Sequence, residues 1–200
     1  MYKMENNYLI KNLEQHINVM ESLIGQEENI TEANKKIVDC FINNGCILVM
    51  GNGGSFADAI HIEGELVGRF KLDRRPFAVK AAGTSGAVLT ALSNDFSFED
   101  AYAREVEAYL RKGDVLWGIT TSGNSKNVIK AFEKGQEIGT YNLLMSGKTG
   151  GKIHEKNLAN LEILVNSTET ARIQEAHEFI YHTMCEQIEK RMVNYFGGDK

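Results

Sequence analysis

Five short apolar runs punctuate this chain: "CILVMG" at 46–51, "FAVKAA" at 77–82, "DVLWGIT" at 114–120, "YNLLMS" at 141–146 and "LEILV" at 161–165. Segments of helical length separate most of them. Runs this continuous need cover on both faces, and strands that alternate with helices pair side by side as a parallel sheet. The expected class is therefore α/β: a three-layer α/β/α sandwich around a central, mainly parallel sheet. Its helices are expected at 55–68, 86–93, 98–110, 125–138 and 170–195.

Two further helices, at 5–27 and 31–44, precede the first strand, the second opened by Thr31 as N-cap with Glu32 in its first turn. They have no strands of their own. The expected division is thus an N-terminal helical extension over 1–44, serving packing or oligomerisation, and an α/β body over 45–200. With Pro76 as the single proline and no Ser- or Gly-rich linker, no other boundary is indicated.

Composition narrows the partners. The net charge is -5, and no basic stripe stands out, which weighs against general nucleic-acid binding. The first twenty residues mix charge with apolar positions and lack a signal-peptide pattern, and no later run is long enough to span a bilayer. A cytoplasmic protein with no membrane partner is expected. Cys40, Cys46 and Cys185 are odd in number and set among apolar neighbours, so they read as buried thiols.

In an open α/β sheet, ligands gather beyond the carboxyl ends of the strands. The loop after the first strand is Gly51-Asn52-Gly53-Gly54-Ser55. Phe56 replaces the third glycine of a dinucleotide fingerprint, and the Gly-Lys-Ser/Thr ending of a nucleotide P-loop is missing. The glycines still admit a ligand to the backbone, and the helix that follows offers N–H groups to an anion or a sugar oxygen. A plain turn capped by Ser55 is the alternative. The loop after the third strand, Thr120-Thr121-Ser122-Gly123-Asn124-Ser125, places several hydroxyls at a helix N-terminus, which suits a phosphate monoester. A simple cap would need only one of them.

His61 and Glu65 stand at i and i+4, on one helix face, and so form a candidate metal or acid/base pair; a surface salt bridge is the plain alternative. The last helix carries Gln174, His177 and His182. Gln174 and His182 lie about 12 Å apart along the axis and about 80° apart around it. Helical geometry alone favours His177 as the nearer partner of Gln174. His16 and His154 read as ordinary exposed histidines.

Taken together, "GNGGS", "HIEGELVGRF", "ALSNDFSFEDAY", "TTSGNSKNVIKA", "SGKTGG" and "RIQEAHEFIYH" resemble the phosphoheptose isomerases, also called sedoheptulose 7-phosphate isomerases, of the sugar isomerase (SIS) superfamily. The likeness runs from about residue 45 to 190. It implies interconversion of sedoheptulose 7-phosphate and D-glycero-D-manno-heptose 7-phosphate, the first step toward bacterial surface heptoses, in lipopolysaccharide or capsule. It also implies a homotetramer with shared active sites. By motif position it implies a zinc ion among His61, Glu65, Gln174 and His182, with Glu65 and His182 moving protons. Ser55, Thr120, Thr121, Ser122 and Ser125 are implied to hold the phosphate, with Asn52, Gly53, Gly54, Arg69, Asn94, Asp95 and Gln174 along the sugar. The choice of His182 over His177 comes from the resemblance. Ser85 and Ala87 stand where the family pattern has Asp and Ser, and Thr120 where it usually has serine. The alternative is a non-catalytic SIS protein that binds a phosphosugar or a protein partner, as the replication-initiator-associating proteins do.

Overall fold

The computed structural model describes residues 7–196. All five apolar runs are strands: β1 (Ile47–Met50), β2 (Val79–Ala81), β3 (Val115–Thr120), β4 (Tyr141–Gly147) and β5 (Leu161–Val165). They form one sheet in the order β2-β1-β3-β4-β5, and every neighbouring pair is parallel. The apolar runs are continuous because alternate residues serve two cores. Ile47, Val49, Val115, Trp117, Leu143 and Met145 face one. Leu48, Met50, Leu116 and Leu144 face the other.

The helices are α1 (Tyr8–Ser22), α2 (Glu27–Ile42), α3 (Gly54–Val67), α4 (Gly86–Asp95), α5 (Ala101–Tyr109), α6 (Lys126–Ile138), α7 (Gly151–Glu155) and α8 (Thr170–Tyr195). Buried side chains of α2, α3 and α8 build the first core, and those of α5 and α6 the second, giving the three-layer α/β/α sandwich. The N-terminal helices extend it. α1 is tied to α8 by His16 Nδ1 at 2.7 Å from Glu175 Oε2, and by Arg172, which donates to the Asn12 carbonyl at 2.7 Å.

Some boundaries differ from expectation. Residues 5 and 6 of the helix expected at 5–27 lie outside the described residues. Thr31 caps nothing: it lies inside α2, and the chain turns earlier, in a 3₁₀ turn over Leu23–Gln26. The Gln26 side-chain oxygen fixes that turn by accepting from Asn29 Nδ2 at 3.1 Å and from the Leu164 N–H of β5 at 3.2 Å. α5 starts at Ala101 because Ser97 and Asp100 first close a turn, the serine hydroxyl donating to the carboxylate at 2.5 Å. The short α7 was not anticipated.

The sheet order reverses direction between β1 and β3. Loops leaving the carboxyl ends of those two strands therefore diverge and open a crevice, the usual ligand site of such sheets. A buried clasp fixes the far end of α3. Glu189 of α8 accepts from the backbone N–H groups of Phe70 (3.0 Å), Lys71 (2.8 Å) and Leu72 (2.9 Å) and from Arg74 Nε (3.1 Å). Arg74 in turn donates to the carbonyls of Glu65 (2.9 Å), Leu66 (3.0 Å) and Gly68 (3.1 Å), capping the last turn of α3.

Candidate active site at the carboxyl edge of the sheet

The two loops implicated by the sequence flank the β1/β3 crevice. They are joined across it by reciprocal amide bonds between Asn52 and Asn127, each 2.9 Å. In the first loop, Gly53 adopts φ 57°, Ser55 is buried, and the Tyr102 hydroxyl donates to the Gly51 carbonyl. Gly54 opens α3 against the side chain of Gln174, whose carboxamide occupies the space an added Cβ would need. The glycine therefore lets α8 approach the loop, a packing reason for its place in the motif.

In the second loop, Ser125 stands at the N-cap of α6 yet its hydroxyl caps no backbone group; it lies 3.3 Å from Thr120 Oγ1. The hydroxyls are thus not consumed in starting the helix. Ser122 Oγ accepts from the Asn124 N–H at 3.2 Å, and Gly147 donates to the Thr121 carbonyl at 3.2 Å. Gly123, at φ 66°, lies against the backbone of Gly150 so closely that a Cβ there would overlap it. The "SGKTGG" segment is the buttress that sets the shape of this loop.

α3 and α8 pack side by side and run in the same direction, so their residues meet in sequence order. Gly54 meets Gln174, Asp58 interacts with Glu178, and His61 meets Tyr181 and His182. His61 Nε2 is 3.0 Å from Glu65 Oε1, and its Nδ1 is 2.8 Å from the Tyr181 hydroxyl. The His61 and His182 rings stand edge to face with centroids 4.9 Å apart. Side-chain exposure is 43% for His61 and 22% for Glu65, so the pair is open on one side. Among the described residues, His61, Glu178 and His182 bring one ligand atom each within 4.8 Å of one another. Two imidazoles and a carboxylate are a donor set suited to a divalent metal ion. The electrostatics fit such an ion as well. Asp58 carries a buried oxygen without a hydrogen-bond partner. Burial, and then the neighbouring Glu178, push its carboxyl up to about 6, with His61 acting the other way.

Of the remaining expected residues, Arg69 is exposed just beyond α3. Asn94 donates to Asp95 at 2.9 Å at the exposed end of α4. Ser85 caps α4 by accepting from the Val88 N–H at 3.4 Å, while Ala87 is exposed in the first turn. The helical-geometry preference for His177 fails: that ring is wholly buried toward the sheet, and neither nitrogen has a hydrogen-bond partner. Burial, partly offset by the backbone of Ser146, pushes its pKa down to about 4. Sequence reasoning missed Asp58, Glu178 and Tyr181. Glu178 and His182 share the i, i+4 spacing that drew attention to His61 and Glu65, and that signal was there to be read.

Fold and site together define an α/β protein with a parallel sheet, a hydroxyl-rich anion loop and a His/carboxylate cluster. The SIS domain family model matches residues 12–143. A phosphoheptose isomerase of Helicobacter pylori strain Shi470 is 42% identical over 174 residues, 87% of this chain and 90% of the relative. One from Citrifermentans bemidjiense is 44% identical over 181 residues, 90% and 93% of the two chains. The solved phosphoheptose isomerase structure from Francisella tularensis superposes with a TM-score of 0.88 at 31% identity, covering 92% of this chain and 97% of that one. The Neisseria gonorrhoeae structure gives 0.85 at 35%, covering 91% and 97%. The chain belongs to the SIS-domain family and, within it, to the phosphoheptose isomerases.

Proposed function

We propose that this chain is the ketose–aldose isomerase that interconverts sedoheptulose 7-phosphate and D-glycero-D-manno-heptose 7-phosphate, at the start of heptose supply for lipopolysaccharide or capsule. Family membership supports the reaction. The observation that carries it at the level of residues is the pairing of α3 with α8, which sets His61 and Glu65 beside His182.

The phosphate is held by Ser55, Thr120, Thr121, Ser122 and Ser125, with the start of α6 supplying positive dipole at neutral donors. Asn52, Gly53, Gly54, Arg69, Asn94, Asp95 and Gln174 line the sugar chain. Anchoring the far end in this way fixes the reacting carbons beside the acid/base pair. Glu65 takes a proton from the carbon next to the carbonyl, and the same proton returns to the neighbouring carbon. His182 moves the proton between the two oxygens. A carboxylate and an imidazole trade these roles near neutral pH. His61, Glu65, Gln174 and His182 are the residues the family resemblance offers to zinc, which when bound supplies Lewis-acid stabilisation of the negative charge on those oxygens.

The half-open His61–Glu65 pair and the exposed apolar residues Leu9, Ile10, Leu13, Ile17 and Ile24 support a homotetramer with sites completed by a neighbouring subunit. No helix among the described residues is long and apolar enough to cross a membrane, in keeping with a cytoplasmic enzyme. The test is conversion of sedoheptulose 7-phosphate to an aldoheptose phosphate by the purified protein. Glu65→Gln should abolish turnover while circular dichroism stays unchanged; full activity in that variant refutes the assigned base.

A further inference from the structure

No residue of α4 is buried, so the core does not grip this helix along its length and its place is set at its two ends. Both ends are tied to α5. Past the far end of α4, the Arg104 guanidinium lies 4.0 Å from the centre of the Phe96 ring, and Ser97 is bonded to Asp100 at the start of α5. At the near end, Glu105 Oε1 accepts from the Gly83 N–H at 2.7 Å. Gly83 has φ 81°, and a Cβ added there would lie 3.2 Å from the Tyr102 ring and 3.4 Å from that of Phe56. The chain leaving β2 is thus pressed onto α5 at a residue that only glycine suits.

We propose that Tyr102 and Glu105 are positioning residues of the isomerase site, which together fix the Gly51–Ser55 loop and the start of α4 at one spacing. The inference rests on the isomerase reading, which puts Asn52, Asn94 and Asp95 along one sugar chain. The two side chains lie one turn apart on α5, at 3% and 4% exposure. Tyr102 holds the Gly51 carbonyl beyond β1, and Glu105 holds the Gly83 N–H beyond β2, the strand beside it. A carboxylate kept from water needs a partner that repays its burial. Burial pushes the Glu105 carboxyl up, and the Gly83 N–H is the first influence that opposes it.

The experiment compares the full-length parent with Glu105→Leu, Glu105→Gln and Tyr102→Phe in the conversion of sedoheptulose 7-phosphate, after size and circular dichroism have checked each fold. Glu105→Leu should lower kcat about 10- to 100-fold with KM moving less, because a small misplacement of the bound carbons costs rate. Glu105→Gln keeps an acceptor oxygen for Gly83 and should restore most of the loss. Tyr102→Phe keeps the packed ring, so it carries the test even where Glu105→Leu fails to fold, and it should lower kcat on its own. Combining it with Glu105→Leu should cost no more than about threefold beyond the slower single variant, since both act on one spacing. Inorganic phosphate, which the same reading assigns to the loop over 120–125, should inhibit Glu105→Leu within about threefold of the parent. A disordered site would lose that inhibition along with the rate. A kcat within about twofold of the parent in either single variant, fully multiplicative losses, or phosphate inhibition that falls in step with kcat overturns the inference while the parent still isomerises. A parent that converts no sedoheptulose 7-phosphate sinks the proposed activity, and this role with it.

Discussion

Glu189→Gln perturbs the clasp at the end of α3 with almost no change of shape. The carboxylate is 1% exposed and its partner Arg74 is 4% exposed, so water cannot take over from either. It accepts from three backbone N–H groups and from Arg74. An amide keeps one acceptor oxygen, turns the other into a donor aimed at existing donors, and leaves the Arg74 charge unpaired. Breaking one side of a buried pair costs about 3–5 kcal/mol. In a domain of this size, that lowers the melting temperature by roughly 6–20 °C. Replacing both residues with methionine should restore only part of the loss. Although a buried pair itself is often dispensable, here the backbone of 70–72 and the carbonyls of Glu65, Leu66 and Gly68 would also lose partners. Thermal unfolding at fixed protein concentration measures this, since an oligomer's midpoint moves with concentration. A shift below about 3 °C in Glu189→Gln, less than one buried hydrogen bond to charge is worth, would refute the reasoning.

Two further outcomes follow from the geometry around His61 and His177. Tyr181→Phe removes the hydroxyl on His61 Nδ1 and should weaken Zn²⁺ affinity about 10- to 100-fold in a calorimetric titration of the metal-depleted protein, with little change in melting temperature. His177 has a folded pKa of about 4 against 6.5 for an ordinary histidine, so the unfolded chain binds the extra proton as pH falls. Its contribution is complete above pH 6.5 and is lost toward pH 4; between pH 7 and 5 the loss is about 2 kcal/mol. Urea unfolding at several pH values should give a flatter dependence for His177→Leu than for the parent, and an identical slope would count against this account.

The layers and strands were legible because burial on both faces leaves an uninterrupted apolar run, as in "CILVMG" and "DVLWGIT". The strand order was not legible, since nothing in the runs says that β1 lies between β2 and β3. The anion loop was read from its surplus of hydroxyls, and the idle cap position of Ser125 explains that surplus. Thr31 misled because a good capping residue is silent when tertiary contacts place the turn elsewhere. Here the contact is between Gln26 and β5.

The two histidines of α8 show why local geometry ran out. Around the helix axis, taking Gln174 as zero, Tyr181, Cys185, Glu178, Glu189 and His182 fall between about -20° and +80°, while His177 falls at about -60°. Spacing alone treats the two sides of Gln174 alike and so favours the nearer histidine. The sheet breaks the tie. α8 lays the -60° side on β4, where His177 lies buried near Ser146, and turns the positive arc to α3, where Gln174 reaches Gly54, Tyr181 reaches His61, and Glu189 reaches the loop beyond it. The direction of that arc depends on the order of strands that carry the two helices. The face that α8 turns to α3 is therefore a property of topology, and this is why His182, at about +80°, comes beside His61 while His177 does not.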